Sequence, residues 1–168
     1  IFTLSGNQIM SVFDATIGTD IELIHVRQEA AAVHMADAWG RLTGQPGVAL
    51  VTAGPGFTNT LTAMYVAAMA ESPLVVLSGC SPVARDGHGA FQEMPQAEIA
   101  GKIAKASWTA SDPAGLGYDL VRAMRLARSG RPGPVHIALP GDILSASVNG
   151  QASAGPTSED AHPVVSLL

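Results

Sequence analysis

Apolar positions along this chain follow two alternating rhythms. Short apolar runs of strand length occur at 1–5, 22–26, 48–52, 73–78 and 134–139. Unbroken runs of this kind fill parallel strands that are covered on both faces. A more mixed run at 105–110 also has strand length. Between these runs the apolar residues fall at helical spacing, as in Ile9, Met10, Val12, Phe13 and Ile17. The pattern predicts helices over 8–17, 28–42, 57–70, 97–104 and 113–128. Local signals agree with these limits. Asn7 is placed to cap the first helix, Gly18 and Gly44 follow helix ends, and Asp112-Pro113 opens the last helix. Strands alternating with helices predict an α/β fold. Its expected form is a doubly wound, mainly parallel sheet of about six strands with helices on both faces.

The rhythm lapses twice. Between 79 and 95 there is no period, and Ser81-Pro82, Asp86-Gly87, Gly89 and Pro95 break the chain repeatedly. Long loops inside compact domains tend to carry function. After 145 the chain turns to Gly, Ser, Ala and polar residues, which is linker composition. The expected organisation is one domain over 1–144 and a linker over 145–168. The opening Ile1-Phe2-Thr3-Leu4 is already strand-like, so the domain is expected to lack its N-terminal elements.

Composition narrows the class. With 168 residues, 47% hydrophobic and 14% charged, the chain has material for a real core. A net charge of −5 argues against nucleic-acid and anionic-membrane partners. The most apolar region is interrupted by Glu71, Ser72 and Pro73, too early to span a bilayer. One cysteine, Cys80, allows no internal disulfide and suits a cytoplasmic setting, where it packs as a small apolar residue. His25, His34, His88, His136 and His162 lack metal-ligand spacing, so no metal site is expected. Ser5 has no partnered histidine or acid by sequence, which leaves a hydrolase triad unsupported.

Candidate chemistry gathers where strands end, because ligands of open α/β sheets bind beyond the carboxyl ends of the strands. Glu29 falls in the first turn of the helix after the second strand, followed by three alanines that leave its carboxylate unshielded. Gly54-Pro55-Gly56 ends the third strand, where glycines let backbone approach a ligand closely. It is neither a dinucleotide fingerprint, since Asn59 stands at the third glycine position, nor a phosphate loop with GK[ST]. Phe91 and Gln92 lie in the long loop. Taken singly, each has an ordinary alternative: a Glu that complements the helix dipole, a plain strand-to-helix turn, a loop-anchoring Phe.

The order of four motifs adds to this. HVRQEAAAVHMADAWGRLTG, GVALVTAGPGFTN, GAFQE and SGRPGPVHIALPGDI follow one another over 1–144. Together they resemble the N-terminal, pyrimidine-binding domain of thiamine-diphosphate-dependent enzymes of the acetolactate synthase and benzaldehyde lyase branch. The resemblance implies thiamine diphosphate as cofactor. Glu29 matches the family's glutamate that hydrogen-bonds the aminopyrimidine and promotes proton removal from the thiazolium, a task for a carboxyl group sheltered from water. Thr52, Gly54, Pro55, Gly56 and Asn59 match the residues around the pyrimidine. Phe91 and Gln92 match loop residues near substrate, with Gln92 in a catalytic position. Ser5 and Gly6 stand on the substrate side, where benzaldehyde lyase has a histidine; serine here argues against aryl-aldehyde specificity.

The family holds the diphosphate and Mg²⁺ with a second domain carrying a GDG motif, and no GDG occurs in this sequence. The resemblance therefore implies half a site, inactive in isolation. It also implies a small 2-oxo acid or aldehyde as substrate, decarboxylation with carboligation as the reaction, and a homodimer or homotetramer as the full-length assembly. Stripped of neighbours, the domain is expected to associate through its second and third helices, around Met35, Trp39, Met64 and Ala68. The competing expectations are a non-catalytic partner or scaffold that keeps the fold, and a small nucleotide-binding module. The latter is disfavoured by the missing phosphate-binding glycines.

Overall fold

The computed structural model describes residues 1–148. Six strands form one all-parallel sheet: β1 (Phe2–Thr3), β2 (Ile24–His25), β3 (Gly47–Val51), β4 (Leu74–Cys80), β5 (Ala106–Thr109) and β6 (Pro134–Pro140). Their spatial order is β2-β1-β3-β4-β6-β5. The helices are α1 (Met10–Thr16), α2 (Glu29–Thr43), α3 (Pro55–Thr58), α4 (Leu61–Met69), α5 (Gln96–Ala100), α6 (Leu116–Arg128) and α7 (Gly141–Ser145). The doubly wound α/β expectation holds.

Alternation along β4 shows why both faces must be covered. Leu74 and Val76 point into a core built with α2, α4 and α5, where Ala32, Val33, Ala36, Met64 and Ala67 pack. Val75 and Leu77 point the other way, toward Ile9, Ala123 and Ala127, with Val12 and Phe13 of α1 and Met124 of α6 against them. Each face buries its own apolar set, so β4 and β6 are buried throughout and apolar at successive positions, with Ser78 and His136 as the polar exceptions.

Local signals succeed where a single residue decides the backbone. Gly44 closes α2 in the left-handed region, φ 68°. Asp112 Oδ1 accepts from the Ala114 amide and opens the tight turn that leads into α6. Three expectations are corrected. Asn7 does not cap the first helix; it lies inside a 3-10 turn, and α1 starts at Met10. The predicted helix over 57–70 starts earlier, at Pro55, and is divided at Asn59 and Thr60. There the buried Thr60 sends both its amide and its hydroxyl to the Phe57 carbonyl, which tightens the ladder by a residue. Met64 is not on an open face but fully buried beneath α4. The exposed apolar side chains of α2 and α4 are Met35, Trp39, Leu42, Tyr65, Val66 and Met69, with Leu42 86% exposed. No helix of the described residues is long and apolar enough to cross a membrane. The chain beyond 148, including most of the expected linker, lies outside the described residues.

Candidate active site

Sheet order locates the site. The chain leaves β1 for β2 on one side, then returns across β1 to β3 on the other. The crevice at the carboxyl ends of β1 and β3 is thus the topological switch point, where open α/β sheets bind ligands. Ser5 and Gly6 follow β1, Thr52 to Gly56 follow β3, and Glu29 opens α2 after β2.

Glu29 is half-buried at the first position of α2. Gln28 is the N-cap, its Oε1 accepting from the Ala31 amide at 3.2 Å. Asn59 Nδ2 donates to Glu29 Oε2 at 2.9 Å. The other oxygen, Oε1, faces Gly56, where a Cβ would stand 3.5 Å from it and 2.6 Å from Thr52 Cγ2. Among the described residues Oε1 has no hydrogen-bond partner. The carboxylate is therefore oriented through one oxygen and free at the other, beside backbone that carries no side chain.

The turn after β3 is built around Gly54, whose φ of 57° and ψ of −118° suit glycine. A Cβ on Gly54 would meet Gln92 Cβ at 2.8 Å, so Gln92 lies directly over it. Gln92 itself has φ 60°, one of two non-glycine residues in the left-handed region among those described. Strain of this kind persists where surroundings hold it, and here Gln8 Nε2 donates to Gln92 Oε1 at 2.9 Å. Gln8 Oε1 in turn accepts from the Thr52 hydroxyl at 2.7 Å. Gly6 completes the wall: a Cβ there would fall 2.4 Å from Thr52 Cβ. Ser5 is exposed at the end of β1, and Phe91 is 78% exposed on the loop.

The structure thus brings Glu29, Asn59, Thr52, Gly54, Gly56, Gly6 and Gln92 to one edge. Pro55 is exposed on the turn between the two glycines. Three residues that sequence reasoning passed over hold the site together. Gln8 links Thr52 to Gln92. Gln96 accepts from the Gly54 amide at 3.0 Å. Glu93 ties the loop by accepting from the Gly87 amide at 2.7 Å and the Ala90 amide at 2.8 Å. The backbone bonds to Ala90 and Gly87 hold the Glu93 carboxyl below its ordinary range. The far end of the loop is fastened by Asp142, whose carboxylate accepts from the amides of Val83 and Ala84. None of these partners is adjacent in sequence to the residue it fixes, and an isolated Gln carries no sequence mark of its role.

A cavity of 810 Å³ opens beside the site, at the carboxyl ends of β4, β5 and β6, with Cys80, Gln96, Thr109 and Pro140 in its lining. Burial, with Asp142 and Asp86 adding charge, pushes the Cys80 thiol up to about 12. It is a packed residue, not a nucleophile. No cluster of three or more His, Cys, Asp or Glu side chains able to hold a metal occurs among the described residues.

Comparison with known proteins identifies the family. The family described as "Thiamine pyrophosphate enzyme, N-terminal TPP binding domain" matches residues 1–99. The chain is 44% identical over 147 residues to the acetolactate synthase isozyme 3 large subunit of Escherichia coli (strain K12), covering 86% of this chain and 25% of that protein. It is 44% identical over 144 residues to 2-hydroxyacyl-CoA lyase 2 of Xenopus laevis, covering 86% of this chain and 22% of that protein. A probable acetolactate synthase of Mycobacterium bovis is 36% identical over 165 residues, 94% of this chain and 30% of that protein. The chain spans between a fifth and a third of the length of these curated relatives.

Proposed function

Because the chain belongs to the thiamine pyrophosphate enzymes, as their N-terminal TPP-binding domain, we propose that it supplies the pyrimidine side of a site acting on 2-oxo acids or aldehydes. The reaction is decarboxylation and carboligation of the acetolactate synthase kind. The observation that carries this reading is the Glu29 carboxylate, oriented by Asn59 through Oε2 and open at Oε1 beside Gly56. A flat heteroaromatic ring with a basic nitrogen fits such a place. The carboxyl group would exchange a proton with such a nitrogen at Oε1, and the missing side chain at Gly56 would leave room for the ring.

Thiamine diphosphate, when bound, supplies an electron sink for chemistry at a carbonyl carbon. The chain's own residues bind and orient. Glu29 holds and shares the proton through Oε1. Asn59 keeps the carboxylate from turning away. Thr52, Gly54, Pro55 and Gly56 wall the ring. Ser5, Gly6, Phe91 and Gln92 lie toward the substrate, and Gln92 is held for that task by Gln8. The diphosphate and Mg²⁺ fall to a domain outside residues 1–144, so this segment alone is inactive. The exposed Met35, Trp39, Tyr65, Val66 and Met69 give the full-length protein an apolar face for assembly as a homodimer or homotetramer. We assign it to the cytoplasm.

The test is hydrogen–deuterium exchange at C2 of bound thiamine diphosphate in the full-length protein, wild type against Glu29→Gln. General acid–base help of this kind is worth roughly 10²–10⁴-fold, and exchange is expected to slow by that factor. The fold should hold, since a first-turn Glu contributes at most about 1 kcal/mol through the helix dipole. Equal exchange rates would make Glu29 a helix-start residue.

A further inference from the structure

Under the Gly54–Gly56 turn runs a line of buried polar groups with no part in the chemistry above. Gln96, the first residue of α5, is 2% exposed. Its Oε1 accepts from the Gly54 amide at 3.0 Å. Its Nε2 donates to Ser78 Oγ at 2.7 Å and to the Gly79 carbonyl at 2.9 Å. Ser78 Oγ lies 2.8 Å from His136 Nε2, and Ser107 Oγ lies 2.8 Å from His136 Nδ1. The line crosses β4 and β6 and ends on the edge strand β5. An apolar filling of the same volume would usually stabilise a core as well or better. Something other than packing therefore asks for an amide at this point.

Gly54 supplies the reason. Its backbone is in a conformation open mainly to glycine, and its amide turns inward to a partner in the core. Gln96 is that partner. We propose that Gln96 is a positioning residue: it fixes the Gly54 peptide from the core side and so sets the gap between Gly56 and the Glu29 carboxylate. This role rests on the thiamine-diphosphate reading. The side chain must offer one acceptor to Gly54 and two donors to Ser78 and Gly79 at once, and Gln at this reach does so. Glu keeps the acceptor but turns an oxygen onto the Gly79 carbonyl. Met fills the volume and offers neither.

The two substitutions separate positioning from packing in the full-length protein. Amide hydrogen exchange over 52–57, without cofactor, reports the Gly54 bond directly. Thiamine diphosphate affinity in the presence of Mg²⁺ reports the site. Gln96→Met is expected to speed exchange of the Gly54 amide by about tenfold or more and to weaken cofactor binding by about tenfold, the scale of one lost buried hydrogen bond. Gln96→Glu is expected to lower the unfolding midpoint further than Met, yet to keep Gly54 protection and cofactor affinity within about threefold of wild type. Affinity that follows stability instead of the Gly54 bond, or that changes in neither variant, overturns the proposal. If both variants fail to fold, Ser78→Ala loosens Gln96 from one side only. A Gly54 amide and a cofactor affinity unchanged in that variant also overturn it, and a twofold to fivefold change in both, roughly what a weakened hydrogen bond gives, supports it. A wild-type protein that binds no thiamine diphosphate overturns the reading itself, and the positioning role with it, while the Gly54 amide still reports whether Gln96 holds the turn.

Discussion

At the carboxyl edge of β1, β2 and β3 the site side chains are exposed or half-buried, with the backbone of Gly54 and Gly56 buried beneath them, whereas β4 and β6 are buried at all seven positions of each. The first half is lightly built. β1 and β2 are two residues long, Ser5 and Asn59 are exposed, and glycines occupy the close approaches. The second half is dense, apolar on one face, and threaded on the other by Gln96, Ser78, His136 and Ser107. The contrast shows how an accessible site keeps its shape. Groups that must meet a ligand cannot be locked by burial alone, so their geometry is set by hydrogen bonds to residues far away in sequence. Gln96 reaches the Gly54 turn from the core, and Asn59 reaches Glu29 from the junction between α3 and α4.

The largest effect expected on the open half is the 10²–10⁴-fold loss in C2 exchange for Glu29→Gln, on the scale of general acid–base catalysis, with little change in stability. A variant that unfolds instead would place Glu29 among the structural residues and erase the contrast.

The dense half should show its own signature in acid. Burial pushes the His136 imidazole down to about 3 from its ordinary 6.5, and its ring also lies 5.0 Å from Phe57. The unfolded chain takes up the proton first, so the stability that His136 lends is whole above about pH 6.5 and falls as the pH drops toward 3. By pH 4 the loss should be on the order of 3 kcal/mol. Urea unfolding at pH 7, 5 and 4 checks this against His136→Phe, whose pH slope over that range should be shallower by that amount. Parallel slopes would mean that another group carries the acid sensitivity.

A methyl group at Gly56 probes the boundary between the halves. Gly56→Ala puts a Cβ 2.6 Å from Thr52 Cγ2. Overpacking of that order costs about 1–3 kcal/mol, and the same methyl group stands beside the face of Glu29 that is open to a ligand. Both the unfolding free energy and the thiamine diphosphate affinity should fall. Loss of stability alone would remove Gly56 from the wall of the site.

The smallest effect belongs to Asn59→Ala. One hydrogen bond between exposed or half-exposed groups is worth about 0.5–1.5 kcal/mol. C2 exchange should therefore slow by roughly threefold to tenfold, with the unfolding midpoint lowered by no more than about 5 °C. A change as large as that of Glu29→Gln would mean that Asn59 meets the ligand itself.

Much of this molecule is legible along the chain. The apolar runs at 48–52, 73–78 and 134–139 become β3, β4 and β6 because strands covered on both faces must be apolar at successive positions. Gly44 ends α2 and Asp112 opens the turn before α6 because caps depend on one residue and its nearest neighbours. Glu29 and Gly54-Pro55-Gly56 stand out for a related reason: strand ends followed by helix starts are local events, and ligands collect there. What the tertiary structure alone decided involves partners far apart in sequence. The β1 and β2 strands shrink to two residues each, because the length of a ladder depends on how far the neighbouring strand runs alongside. The order β2-β1-β3-β4-β6-β5 makes the β1–β3 gap the switch point, and only that order brings Gly6 against Thr52. Glu29 meets Asn59 across 30 residues and Gly54 meets Gln96 across 42. A glutamine in isolation says nothing of such a partner, because its hydrogen bonds acquire direction only when the fold supplies the other half.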